Sequence, residues 1–61
     1  MAENLLFEVG DVVIVVDVGD DYYGEEGVVI EVDENDPSLP YLVFVSDEYE
    51  EWFSEGALES Y

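Results

Sequence analysis

The side chains able to do chemistry in this 61-residue sequence are almost all carboxylates. It holds 18 Asp and Glu and no Lys, Arg, His or Cys. Nucleophilic catalysis needs a base beside its hydroxyl, and Ser38, Ser46, Ser54 and Ser60 have no His or Lys to supply one. A pair of carboxylates can act as the acid and base of a glycosidase. Eighteen acids in so short a chain make close pairs inevitable, however, and a domain of this size has little room for a substrate cleft. Adjacent acids therefore read as solvated surface. No catalytic or cofactor-binding residue is assigned, and the chain is expected not to be an enzyme.

Metal chemistry fares little better. Structural zinc wants Cys or His, and both are absent. Asp33-Glu34-Asn35-Asp36 begins like a calcium-binding EF-hand loop, but its sixth position is Ser38 rather than Gly and its twelfth is Phe44 rather than Glu. The expectation is no dedicated metal site, only diffuse binding of divalent cations to the acidic surface.

The net charge of -18 narrows the partners. An ordinary domain of this length would carry about 7 Lys and Arg. Without any, contacts to nucleic-acid phosphates are repulsive and counterion release cannot occur, so direct nucleic-acid binding is not expected. A basic protein suits the charge better. The aromatic residues Tyr22, Tyr23, Tyr49, Trp52 and Tyr61 could form a stacking platform or a proline-peptide groove, although filling a small core and its rim is the simpler role. No apolar run approaches the roughly 18 residues of a membrane span, and no basic region opens a signal peptide. A cytoplasmic setting without membrane attachment is the default expectation.

The elements that position these residues read as β-structure. Val12 to Val16 is a β-branched run bracketed by Gly10-Asp11 and Asp17-Val18-Gly19, the first strand. A polar loop from Gly19 to Gly27 leads to a second strand over Val28 to Asp33. Glu34 to Pro40 carries turn chemistry in Asn35, Asp36, Pro37, Ser38 and Pro40. Tyr41 to Ser46 and Tyr49 to Phe53 form strands three and four, tightly joined by Asp47-Glu48. Ser54 to Ala57 reads as a 3₁₀ turn and Leu58 to Ser60 as a short last strand. Tyr49, Trp52, Phe53 and Gly56 spoil any helix over Ser46 to Leu58. The fold class is therefore all-β: one five-stranded small barrel over the whole chain, with residues 1–6 as an N-terminal segment with scope to be flexible. With no Cys for a disulfide, stability must come from an apolar core, which a 49% hydrophobic composition can supply.

Period-two alternation predicts a core of Val13, Val15, Ile30, Val43, Val45, Phe53 and Leu58, with Tyr41 on the same side. A bulge near Gly27 would decide between Val28 and Val29. The same alternation turns Val12, Ile14, Leu42 and Phe44 outward. An exposed patch of Val12, Ile14 and Phe44 could drive weak self-association once salt screens the charge.

Gly10-Asp11-x-Val13-x-Val15, Gly24-x-x-Gly27-x-Val29, Pro40-Tyr41-x-Val43-x-Val45, Glu51-Trp52-Phe53 and Leu58 together resemble small SH3-like barrels. The likeness is to the KOW and Mind-bomb-repeat type, including short phage and prophage proteins, and it covers roughly Phe7 to Glu59. In such relatives the positions of Val12 and Ile14 are often basic and that of Phe44 is commonly polar. Here every basic residue has been replaced. The resemblance implies an SH3-like fold and, for that fold, nucleic-acid binding through basic loops, which this composition contradicts.

Three functions fit the missing cations. The favoured expectation is an engineered or restricted-alphabet folding scaffold with no evolved partner, since Gln, Thr and Cys are missing too. For such a molecule no cellular location applies. The alternative is an acidic DNA mimic that occupies the basic cleft of a nucleic-acid-binding protein. A compact chain of this length is roughly 27 Å across, and that length of duplex bears about 16 charges, close to the number here. A haloadapted interaction module is the third. If a partner binds, the candidate residues are Asp20, Asp21, Tyr22, Tyr23, Glu25 and Glu26 in and beyond the first loop. Asp47, Glu48, Glu50, Glu51 and Trp52 join them around the strand-three-to-four connection.

Overall fold

A computed structural model describes residues 6–45 and 49–61. Five strands run in chain order: β1 (Val12–Val15), β2 (Glu26–Val32), β3 (Tyr41–Val45), β4 (Tyr49–Phe53) and β5 (Leu58–Ser60). A 3₁₀ turn over Glu55–Ala57 precedes the last, and there is no α-helix among the described residues. All pairings are antiparallel, in the order β4-β3-β2-β1-β5. The ladder is open, because β4 and β5 are its two edges. The expected closure into a barrel is thus not made by hydrogen bonds.

Alternation selects the buried face. Val13, Val15, Val29, Tyr41, Val43, Val45, Phe53 and Leu58 lie within one cluster, joined by Phe7 and Ala57. Among the described residues no second layer covers this face, yet several of these side chains have no accessible surface at all. A single sheet hides one side so completely only by coiling round on itself. Gly27 makes the tight curvature feasible. A Cβ on it would lie 2.7 Å from both the Phe44 carbonyl oxygen and Val43 Cγ1, so only hydrogen allows β2 and β3 to approach there.

The expected core needs one correction. Ile30 points outward and Val29 inward. The register slips between Val29, opposite Val43, and Glu31, opposite Leu42, so the bulge falls at Ile30 rather than near Gly27. The extra residue of a bulge reverses the alternation beyond it.

Strand ends differ by a few residues. Val16 leaves the β1 ladder, and its amide donates to the Ala57 carbonyl at 2.8 Å. β2 starts earlier than expected, at Glu26 opposite Ile14, and ends at Val32. Ser46 at the expected end of the third strand, and the Asp47-Glu48 connection, lie outside the described residues. Of the N-terminal segment only Leu6 is described, its amide donating to the Tyr41 hydroxyl at 3.0 Å.

Candidate functional site

Two surfaces gather the candidate residues. The first is built by the β1–β2 loop. Asp17 and Asp20 begin successive turns there: the Asp17 carboxylate accepts the Gly19 amide at 3.0 Å, and that of Asp20 accepts the Tyr22 amide at 2.8 Å. Short polar side chains capture the backbone two residues on in this way and hold a turn without outside help. Gly24, at φ 87°, closes the loop, its amide donating to the Val15 carbonyl at 2.9 Å.

So held, Tyr22 packs half-buried against the core, with its ring 5.8 Å from that of Tyr49. Glu51 lies beside them. It follows Tyr49 at a core-facing position of β4 and is half-buried opposite Val43. Burial pushes its carboxyl above the ordinary Glu value, and the nearby Asp20 charge, a side-chain hydrogen bond with Asp20, and Asp21 add to this. Tyr22 is likewise raised, first by desolvation and then by Tyr49, Glu51, Asp21 and Asp20. Every neighbour named here is an acid or a phenol, so the site can attract cations or hold a proton between two carboxylates.

Of the candidate residues, Asp20, Asp21, Tyr22 and Glu51 come together, with Tyr49 beside them. Tyr49 was legible as an aromatic but not as their neighbour, because the loop that brings Tyr22 to it is fixed by turns and not by alternation. Tyr23 is exposed on the same loop, and Glu25 lies at its end. Glu26, Glu50 and Trp52 do not belong to this cluster. Period-two alternation sends them to the outward face of the sheet, so the aromatics form no single platform. Asp47 and Glu48 lie outside the described residues.

That outward face is the second surface. Register places Val12 beside Val28, Val28 beside Phe44, and Phe44 beside Glu50. A second row runs Glu59, Ile14, Glu26, and a third runs Glu31, Leu42, Trp52. Val12 and Phe44 are 43% and 40% exposed, while Ile14, expected to be as open, is half-buried between its glutamate neighbours. Val28, Ile30 and Trp52 add 37%, 39% and 36% exposure to this face.

The acids of the β2–β3 turn serve the backbone. Asp33 accepts the Asn35 amide at 2.9 Å, and Asp36 accepts those of Ser38 and Leu39 at 3.1 and 3.2 Å. Those carboxylates shape the turn.

No protein-family model matches the chain, and neither does any curated protein. Among solved structures it superposes on the NMR structure of Bacillus subtilis protein YorP with a TM-score of 0.76. The match covers 100% of this chain and 82% of that one at 23% identity. The two share a fold.

Proposed function

We propose that this chain is a non-enzymatic, SH3-like folding scaffold, written in an alphabet without cationic side chains and not shaped around a partner. The SH3-like assignment draws support from the strand order, from the 3₁₀ turn before β5 and from the likeness to YorP. The observation that carries the scaffold reading is that the described fold calls on no cation. Among the described residues no charged side chain is buried, so the fold asks for no ion pair there. Carboxylates at Asp11, Asp17, Asp20, Asp33 and Asp36 take backbone amides as partners instead. Removing every cation leaves such a design intact, and apolar Val12 and Phe44 at outward positions are what a substitution scheme without polar logic would leave behind.

A DNA mimic is the second reading, and the molecular shape favours it. The protein measures 34 × 21 × 18 Å, and 34 Å of duplex carries about 20 phosphate charges against its 18 carboxylates. Titration against several unrelated basic DNA-binding proteins separates the two. The scaffold binds all of them weakly and alike. One tight, salt-sensitive complex that duplex DNA displaces would overturn it in favour of the mimic.

A further inference from the structure

The outward face of the sheet carries apolar residues that the scaffold reading treats only as left over and that the mimic reading does not use. On a one-sided antiparallel sheet, solvent-facing positions are ordinarily polar. Here they carry Val12, Val28, Ile30, Phe44 and Trp52, all more than a third exposed. In each cross-strand row the apolar residues are flanked by a glutamate: Glu50 after Val12-Val28-Phe44, Glu59 and Glu26 on either side of Ile14, and Glu31 beside Leu42-Trp52. Between the first two rows lies a shallow hollow of about 280 Å³ lined by Val12, Glu26, Gly27, Val28 and Phe44, room for one apolar side chain.

We propose that this face is a docking surface for a cationic amphipathic helix of a partner protein, with apolar side chains along its centre and Lys or Arg on its flanks. Charge complementarity selects that occupant. A second copy would match the apolar strip but bring another -18 charges and the same glutamate rim against this one. A cationic flank instead meets carboxylates on both sides of the strip. Width agrees as well. Val12, Val28 and Phe44 lie on three neighbouring strands, so the strip spans about 10 Å, the width of one helix. Docking here needs neither imitation of nucleic acid nor the Tyr22–Tyr49 cluster. It goes beyond the scaffold reading, under which the face takes any helix of this chemistry without having been shaped for one.

Trp52 is the chain's only tryptophan and sits on this face, so its fluorescence reports occupancy directly. The probe is a Leu/Lys peptide of about five helical turns with apolar residues at helical spacing, compared with a scrambled peptide of the same composition. The amphipathic peptide should blue-shift the Trp52 emission and bind at least about tenfold more tightly than the scrambled one, a difference that charge alone cannot produce. A triple variant, Val12→Thr, Val28→Thr and Phe44→Thr, should abolish that advantage while leaving the scrambled peptide's affinity unchanged. Phe44→Glu provides an independent single-site check. Docking predicts that it weakens the amphipathic peptide, whereas attraction to a polyanion predicts tighter binding. Equal affinity for the two peptides, or a gain on Phe44→Glu, overturns the proposal. So does a salt-induced dimer in sedimentation that excludes the peptide, which would assign the face to a second copy.

Discussion

Tyr41 holds the start of the described chain to the core by both ends of its side chain. Its ring meets that of Phe7 edge-on, with centroids 5.1 Å apart at 74°, and its hydroxyl accepts the amides of Leu6 at 3.0 Å and Phe7 at 3.4 Å. Tyr41 has no exposed surface, and of the two bonds the one from Phe7 is buried and the one from Leu6 part-buried. Tyr41→Phe keeps the ring and removes the acceptor. The expected cost is about 1–2 kcal/mol, because a buried donor left unmet loses its full solvation. In a domain of this size that lowers the melting temperature by roughly 5–15 °C, as a thermal melt would show. An unchanged melting point would mean that the N-terminal contact contributes nothing to stability.

The bulge at Ile30 gives a test of register. Val29 is fully buried opposite Val43, and Ile30, where the pairing slips, is 39% exposed. Val29→Ala should cost about 2 kcal/mol in lost burial and cavity formation. Ile30→Thr should stay within about 0.5 kcal/mol, as an outward change does. Paired denaturant titrations would read both, and reversed magnitudes would restore Ile30 to the core.

Much of this architecture was legible because alternation is a local signal. Val13, Val15, Tyr41, Val43, Val45, Phe53 and Leu58 follow period two inside short, well-punctuated strands, and all are buried. Ile30 was not legible, since a bulge is a property of two strands together and leaves no mark in either alone. Phe7 precedes the first strand, outside any alternation, and enters the core by packing edge-on against the Tyr41 ring. The candidate site was legible as residues but not as a cluster. Asp20, Asp21 and Tyr22 lie in one loop and Glu51 in a distant strand, and only the folding of that loop against β4 puts them together. Glu26, Glu50 and Trp52 were grouped with it by sequence distance, although their alternation already placed them on the other face.

Gly27 and Gly56 should respond oppositely to alanine. At Gly27 the new Cβ meets a backbone oxygen and a valine methyl at 2.7 Å, and the oxygen belongs to a paired strand and cannot yield cheaply. A loss of about 1–3 kcal/mol is expected there. At Gly56 nothing lies within 4 Å and φ is not positive, so restricting the unfolded chain should add about 0.4–1 kcal/mol. Thermal melts of the two single variants check both signs, and a tolerated Gly27→Ala would mean that β2 and β3 can separate.

Stability should fall as pH rises, against the usual trend. Glu51 is raised above its ordinary value by burial first, then by Asp20 and Asp21. A raised acid pKa means that the folded state holds more protons than the unfolded one. The stabilisation is complete below the ordinary Glu pKa and is lost as pH climbs through the folded value. The chain-wide repulsion of 18 carboxylates without a cation works in the same direction, since folding crowds them together. Melting temperatures should therefore be higher at about pH 5 than at about pH 8. Salt of about 1 M should narrow the gap by cutting the Debye length to roughly 3 Å, and divalent cations should do so at lower concentration. Glu51→Gln keeps a hydrogen-bonding group beside Asp20 but removes the charge, so it should raise the melting temperature at the alkaline end and flatten the pH profile. A melting temperature that rises with pH, or that ignores salt, would mean that the turn amides gripping Asp17, Asp20, Asp33 and Asp36 outweigh the repulsion among the acids.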